Sequence, residues 1–318
     1  MSNTTHRPLW FGRHDGPGDQ HRRWHHVVNT VHDGNTGIAI LGFRSDEGVR
    51  RNQGRIGAVD GPASIRSALA SMAAPAGLVV HDFGDTDVEN ANLEAGQQQL
   101  GSAVREALDE GHLPVVLGGG HETAFGTYTG LRASTVTDGQ RIGIINLDAH
   151  FDLRTDPVPS SGTPFRQVAR AETELGHDFN YAVIGISQPG NTEALFLTAR
   201  ELGVSYLFDE ECSESRLQQV QKFVQDFTDS VDIVYLTIDL DVLPAYVAPG
   251  VSAPASCGVP LSCVLEVCRQ LARTAKLAAV DVVELNPLFD IDARTARVAA
   301  RLIHTIATER TRLRHAQS

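Results

Sequence analysis

The sequence lacks the features of an exported or membrane protein. No charged segment followed by an apolar one occurs at the N-terminus, and no run of about 18 apolar residues occurs anywhere. The four cysteines form no Cys-x-x-Cys pair and no small secreted framework, which is typical of reduced thiols in a cytoplasmic protein. We therefore expect a soluble protein of the cytoplasm.

Basic residues are scarce relative to acidic ones. The chain has 27 Lys and Arg against 39 Asp and Glu, a formal net charge of −12 at pH 7. This balance argues against nucleic-acid or acidic-membrane partners, because both carry negative charge. The sequence also has no internal repeat, low-complexity tract or clear linker, so we expect one domain.

A phosphate-binding loop is also missing. Gly118-Gly119-Gly120 follows an apolar segment, but no Lys-Ser/Thr pair follows it and the GxGxxG spacing is absent. We expect these glycines to let the backbone turn tightly, so that the next residue, His121, reaches a site at the end of the strand.

The chain divides into an N-terminal arm, residues 1–36, and a main body, residues 37–318, with the arm forming part of the same domain. The arm is rich in His, Arg, Asp and Gly and contains His21, His25 and His26. A histidine-rich metal tract is one interpretation. The irregular spacing of the histidines favours a surface arm.

From residue 37 onward, apolar strand patterns alternate with helical ones. The eight predicted strands are residues 38–43, 78–83, 114–117, 142–147, 182–186, 204–208, 233–238 and 278–285. One helix is predicted to begin at Asp60-Gly61-Pro62, and others to cover roughly residues 93–110, 193–202, 214–228, 260–273 and 292–307. This alternation predicts an α/β fold with a mainly parallel sheet covered on both faces. An eight-stranded barrel is the competing topology.

Acidic and histidine side chains cluster where three of these strands end. They are His121, Asp148, His150, Asp152, Asp239 and Asp241. In the two Asp-rich stretches they alternate with apolar residues, so on an extended chain they would point the same way. Since sites in open parallel sheets form at the carboxyl ends of strands, we expect all six side chains to meet.

The chemistry of this cluster indicates metal binding. Crowded carboxylates and imidazoles repel one another or lie desolvated unless a cation joins them. A polar strand end with solvated aspartates is the alternative for one stretch alone, and the second and third stretches favour the metal. Four carboxylates and two histidines are too many for one tetrahedral Zn²⁺. Oxygen donors with some imidazole suit Mn²⁺, and two ions can share bridging carboxylates, so we predict a two-metal site.

Two more segments belong near this site. Residues 160–167, with the sequence SSGTPFRQ, form either an ordinary turn into a helix or a substrate loop. Glu284 ends another apolar strand, where it is either solvated or able to hold a cationic substrate group. Cys257 lies in a nearby loop without an assigned role.

Four motifs together resemble those of the arginase/agmatinase (ureohydrolase) family. They are GGGHE, NLDAHFDLR, LTIDLDVLPAYVAPGVSAP and VDVVELNP, and the resemblance covers most of the chain from about residue 37. Within that family the chain is most similar to the formimidoylglutamases, through SSGTPFRQ, GFRSDEGVRRNQGRIGAVDGP and WFGRHDG.

This resemblance implies an arginase-like three-layer α/β/α sandwich with a mostly parallel eight-stranded sheet, and two Mn²⁺ ions per subunit. One ion would be held by His121, Asp148, Asp152 and Asp239, and the other by Asp148, His150, Asp239 and Asp241. The implied reaction is hydrolysis of N-formimino-L-glutamate to L-glutamate and formamide, a step of histidine degradation, by a metal-bridging hydroxide. A homo-oligomer acting on this small molecule is expected, with no nucleic-acid or membrane partner.

The chemistry of this implied reaction suggests roles for individual residues. Asp241 or Asp152 would carry the proton that the leaving nitrogen needs. Glu284 would pair with the amidinium of the substrate. Arg166 would bind its carboxylates as a planar fork of donors.

The departures from arginase bear on the substrate. The histidine of the arginase loop His-Gly-x-Pro is replaced here, in Ser161-Gly162-Thr163-Pro164, which makes Ser161 and Thr163 candidate substrate contacts. The usual GGDHS reads GGGHE, with Glu122 at the last position. Loss of the loop imidazole puts guanidine hydrolysis in doubt and suits a formimidoyl group.

Two other functions are weighed against this one. A guanidino hydrolase, acting on agmatine or a guanidino acid, belongs to the same class. A metal-binding protein without turnover on the same fold belongs to another class. The presence of all six ligand residues argues against the second of these.

Overall fold

The structure is a computed structural model that describes residues 10–30 and 34–317. Its nine strands are β1 (Val28–Asn29), β2 (Ile38–Arg44), β3 (Val80–Asp87), β4 (Leu113–Leu117), β5 (Ile142–Leu147), β6 (Asn180–Ile186), β7 (Ser205–Phe208), β8 (Ile233–Asp239) and β9 (Leu277–Val283). They form one open sheet in the order β1-β3-β2-β4-β9-β8-β5-β6-β7. All of these pairings are parallel.

Helices cover both faces of this sheet. They are α1 (Trp24–Val27), α2 (Glu47–Arg51), α3 (Gly61–Ala70), α4 (Leu93–Asp109), α5 (Thr123–Ala133), α6 (Pro164–Leu175), α7 (Glu193–Glu201), α8 (Leu217–Ser230), α9 (Leu261–Ala272) and α10 (Arg294–Gln317). Helices α3, α8, α9 and α10 pack on one face, and α4 to α7 pack on the other. None of the helices described is both long and apolar enough to cross a bilayer.

The predicted three-layer α/β/α sandwich with a mainly parallel sheet is therefore confirmed, and the barrel alternative is wrong. The sheet has nine strands, because the two-residue β1 adds to its edge beside β3. The other eight strands correspond to the eight predicted ones. Their apolar runs are continuous because both faces are covered. In β2, Ile38 and Ile40 join one core while Ala39 and Leu41 join the other.

Several helices differ from the sequence expectation. Helices α1, α2 and α5 were not predicted, and α6 was foreseen only as one interpretation of residues 160–167, a turn into a helix. Helix α10 continues to Gln317, beyond the predicted end at residue 307. Helix α5 is rich in Gly and Thr, which have low helix propensity. It forms because it packs closely on α4, where a side chain at Gly130 would collide with the Gly101 carbonyl. Tertiary packing here outweighs local propensity.

The described part of the N-terminal arm packs onto the sandwich. Trp24 is fully buried and donates its indole N–H to His304 Nδ1 on α10 at 3.1 Å. Trp10 donates to Asp82 Oδ2 on β3 at 2.6 Å. Strand β1 pairs with β3. A buried Trp with its indole satisfied fixes the arm against the body.

Three histidines of the arm, His14, His25 and His26, lie together. The Arg23 amide donates to His26 Nδ1 at 3.0 Å, so the other nitrogen of that ring carries its proton. That proton is directed at His14 Nδ1, 2.8 Å away. The three histidines therefore form a hydrogen-bonded cluster. The lone pair of His26 Nδ1 already accepts the Arg23 N–H, so it is not available to a metal ion.

Candidate metal centre

The six predicted ligands lie at the carboxyl ends of β4, β5 and β8, near the middle of the sheet. Two groups of possible ligand atoms form there. The first contains His121, Asp148 and Asp239, and the second contains Asp148, His150 and Asp241. Four of the six side chains are almost fully buried, whereas Asp152 is 12% and His150 30% exposed.

The imidazole of His121 faces three carboxylates. Its Nδ1 lies 3.1 Å from Asp148 Oδ2, 2.9 Å from Asp152 Oδ2 and 3.1 Å from Asp239 Oδ2. Within the described structure this nitrogen has no hydrogen-bond partner of acceptable geometry. It is therefore directed between the three oxygens, an arrangement that a shared cation would satisfy.

The imidazole of His150 faces the other side of Asp148. Its Nδ1 is 3.4 Å from Asp148 Oδ1 and 3.2 Å from Asp241 Oδ2. The two oxygens of Asp148 thus point toward different histidines. This is the geometry that a carboxylate bridging two ions requires.

The predicted reason for this convergence was wrong in part. Strand β5 ends at Leu147, and the residues that follow are turn and irregular backbone, so Asp148, His150 and Asp152 do not alternate along an extended chain. Asp152 has φ 49°, in the left-handed region. Asp239 ends β8, and Asp241 lies in the 3-10 turn Leu240–Val242. The side chains meet because the chain curls at the strand ends.

Several polar residues that the sequence analysis missed hold this curled segment in place. The Asn191 amide donates to the Ala149 carbonyl at 2.9 Å and accepts from the Phe151 N–H at 3.1 Å. Asn146 donates to Asp148 Oδ2 at 2.9 Å. Asn191 lies about 40 residues downstream, so no local motif could have identified it.

Glu284 lies immediately beside His121. It has φ 68°, and its Oε1 accepts the His121 backbone N–H at 2.8 Å. Its Oε2 is buried without a partner in the described structure. Burial, with Glu122 and Asp241 nearby, raises the pKa of Glu284 to about 8. Left-handed backbone at a non-glycine residue is strained and concentrates at functional sites.

Charge at the site is unbalanced without a cation. Burial acts to lower the pKa of His121, but the three neighbouring carboxylates raise it well above its ordinary value. Burial and the charges of Asp241 and Asp148 raise the pKa of Asp239 well above its ordinary value. Four carboxylates with two imidazoles are a donor set that suits Mn²⁺. The residues present therefore fit the predicted metal pair.

The predicted substrate loop lies at the start of α6. Ser161 is nearly buried, and its Oγ accepts a hydrogen bond from Asn52 Nδ2 at 3.1 Å. The Thr163 hydroxyl donates to the Ser160 carbonyl at 3.0 Å, which closes the turn into the helix. Arg166 Nε is buried without a partner among the described residues. Phe165 packs edge-on against His121, with ring centroids 5.2 Å apart, which brings the start of α6 against the ligands.

A cavity of about 670 Å³ opens beside His150. Its wall includes Gln188, Arg216 and the exposed Cys257, together with the carboxylate-bearing segment at Asp209. The sequence analysis did not single out Gln188 or Arg216, because no motif marks them. The cavity gives the exposed edge of His150 access to a small molecule.

Comparisons with known proteins agree with this architecture. The family model described as the arginase family matches residues 36–308. A formimidoylglutamase of Rhodococcus opacus (strain B4) is 59% identical over 306 residues, covering 95% of this chain and 96% of that protein. The crystal structure of Trypanosoma cruzi formiminoglutamase with Mn²⁺ is similar with TM-score 0.76 and 27% identity, covering 87% of this chain and 94% of that one. An arginase of Bacillus subtilis is similar with TM-score 0.73 and 27% identity, covering 86% and 98%.

Proposed function

Because the chain belongs to the arginase family, we propose that it hydrolyses N-formimino-L-glutamate to L-glutamate and formamide. The observation that carries this proposal is the 59% identity to a formimidoylglutamase over nearly the whole of both chains. The loop that approaches the metal centre supports it, since Ser161 stands where arginase-like guanidine chemistry would place an imidazole. The reaction belongs to histidine degradation.

Two Mn²⁺ ions per subunit are part of this proposal. The residues that would hold them are His121, Asp148, His150, Asp152, Asp239 and Asp241, and Asp148 and Asp239 would contribute to both sites. Bound Mn²⁺ would lower the pKa of a water molecule and so supply the nucleophile for the formimino carbon. The shared position of Asp148 supports the bridging assignment, and the facing imidazoles of His121 and His150 support two ions.

Protein groups around the ligands then act on the substrate. Glu284 Oε2 is buried without a partner among the described residues, and in its ionised form Glu284 accepts a hydrogen bond from the cationic formimino group. Asp241 Oδ1 is likewise without a partner there. Asp241, or Asp152 across the site, carries the proton to the leaving nitrogen before glutamate departs.

The two substrate carboxylates need cations in this acidic protein. Arg166 provides one, since its Nε is a buried donor without a partner among the described residues. Arg44 and Arg55 are already engaged. Arg44 pairs with Asp87 at 2.8 Å, and Arg55 Nε donates to the Ser252 carbonyl at 2.9 Å. Ser161 and Thr163 hold the loop that presents Arg166.

The test is an assay of the purified, Mn²⁺-loaded protein. We expect formamide and glutamate from N-formimino-L-glutamate, and no urea from agmatine or arginine. Urea release would make it a guanidino hydrolase instead. A protein that binds Mn²⁺ but releases neither product would be a binding protein on this fold.

We also propose a cytoplasmic homo-oligomer. The four cysteines are all unpaired, which suits a reducing compartment. Large exposed side chains at Tyr246, Leu288 and Ile291 offer apolar surface for a second copy. Light scattering on the eluting protein measures its mass directly, and a mass of 34.3 kDa would contradict the oligomer.

A further inference from the structure

A buried carboxylate that the mechanism does not use lies behind the metal centre. Asp281, on β9, has no exposed surface. Its Oδ2 accepts hydrogen bonds from the Thr127 hydroxyl at 3.0 Å and from the Tyr235 hydroxyl. Its Oδ1 has no partner that meets hydrogen-bond geometry, and none of the ion pairs in the described structure involves it. A buried carboxylate without a paired cation is costly, and a buried oxygen without a partner calls for an explanation.

Thr237 lies between Asp281 and the ligand His121. Residues 237 and 281 are direct neighbours in the parallel pairing of β8 with β9. Thr237 Oγ1 is 3.0 Å from His121 Nε2, the ring nitrogen that faces away from the metal ligands. Burial raises the pKa of the Asp281 carboxyl, and the Thr237 hydroxyl is one of the groups that act against this rise. A continuous line of polar atoms therefore runs from Asp281 through Thr237 to His121.

The direction of the hydrogen bonds along this line decides whether His121 can bind a metal. A neutral imidazole carries its proton on one nitrogen only. To offer a lone pair at Nδ1, His121 must carry its proton at Nε2 and donate it to Thr237 Oγ1. The Thr237 hydroxyl then needs an acceptor for its own proton. The carboxylate on the neighbouring residue of β9 is Asp281, and its unpartnered oxygen is Oδ1. If Thr237 donated to His121 instead, the proton would lie at Nδ1, against the metal.

We propose that Asp281 is a positioning residue for the metal centre, which acts through Thr237 to fix His121 in the tautomer that ligates at Nδ1. The bonds from Thr127 and Tyr235 occupy Oδ2 and leave Oδ1 to Thr237. Outer partners of metal-bound histidines often have this function. The inference rests on the proposed metal pair, but concerns metal affinity in the absence of substrate.

The test measures Mn²⁺ binding to metal-free protein by electron paramagnetic resonance of the free ion. Thr237→Val removes the link, and Asp281→Asn places an amide donor where Thr237 needs an acceptor. Both should weaken one of the two Mn²⁺ sites about 10- to 100-fold and leave the other within about threefold. Thr237→Ser keeps the hydroxyl and should bind Mn²⁺ like the wild type.

Thr127→Val is the matched control. It removes a buried hydroxyl from Asp281 but leaves the line to His121 intact, so it should lower thermal stability without changing Mn²⁺ affinity. The proposal is overturned if Thr237→Val keeps both wild-type affinities, or if Thr127→Val loses as much affinity as Asp281→Asn. If Asp281→Asn does not fold, the Thr237→Val and Thr237→Ser pair decides the question. Failure of the proposed reaction would instead show in the wild type, as Mn²⁺ binding without formamide release.

Discussion

At the scale of single residues, Asp148 is the ligand that both halves of the metal centre share. Its Oδ2 faces His121 and its Oδ1 faces His150. We predict that Asp148→Ala and Asp239→Ala lose manganese stoichiometry as well as activity, and lose more than His121→Ala or His150→Ala, because a bridging carboxylate serves two ions. Elemental analysis after dialysis measures the effect. The exposed Asp226→Ala is the control, and two full equivalents of manganese in either bridging variant would refute the assignment.

Arg166 is the residue on which recognition of glutamate is predicted to depend. Breaking a charge-assisted carboxylate pair costs about 2–5 kcal/mol. We predict that Arg166→Ala raises KM tenfold or more, at unchanged manganese content. Arg166→Lys should recover only part of the loss, because an ammonium cannot form the two parallel bonds of a guanidinium. Steady-state kinetics on N-formimino-L-glutamate measures both effects.

Arg170 supplies the control for this variant. It lies one turn further along α6 and is exposed, so Arg170→Ala should leave KM unchanged. If Arg166→Ala also keeps its KM, glutamate is recognised elsewhere. Arg154, which lies over Gly162, and Arg216, in the wall of the cavity beside His150, are then the residues to test.

At the scale of elements, the loop before α6 couples substrate choice to helix α2. Asn52, which follows α2, donates to Ser161 at the start of α6. We predict that Ser161→His lowers formamide release tenfold or more and affects activity more than melting temperature, because the imidazole displaces this bond and changes the loop that leads into α6. Val158→His places the same ring at an exposed position of the loop and should leave formamide release nearly unchanged. Equal activity of both variants would remove Ser161 from the site.

The elements also show what the sequence could and could not predict. The long apolar runs identified all eight main strands, because strands buried on both faces leave a continuous pattern. The cluster of carboxylates and imidazoles was predictable, because carboxylates and histidines at strand ends are few. The left-handed backbone at Asp152 and the hydrogen bonds from Asn191 could not be predicted. Neither a left-handed residue nor a contact between distant residues leaves a local periodicity in the sequence. Helix α5 was missed because its stability comes from packing on α4.

At the scale of the whole molecule, the sheet brings ionisable groups from four strands into one buried volume. The pKa of Glu284 is raised to about 8 and that of Glu122 to about 7, in both cases chiefly by burial. The pKa of His150 is raised well above its ordinary value, chiefly by Asp241. Each group thus binds its proton more tightly in the folded chain than in the unfolded one. Its contribution to stability is present at low pH and is lost as pH rises through the folded-state pKa.

It follows that metal-free protein should lose stability between about pH 5 and pH 8, the window set by these raised values. Mn²⁺ competes with protons for its ligands, His150 among them, and its positive charge favours the ionised form of the nearby Glu284, so its stabilising effect should grow over that window. We predict that the difference in melting temperature between Mn²⁺-loaded and chelator-treated protein widens from pH 5.5 to pH 8. Differential scanning fluorimetry at fixed ionic strength measures it, with Asp148→Ala as the variant in which the difference should shrink at every pH. A difference in melting temperature that stays constant with pH in the wild type would contradict this coupling between Mn²⁺ binding and proton release at the buried site.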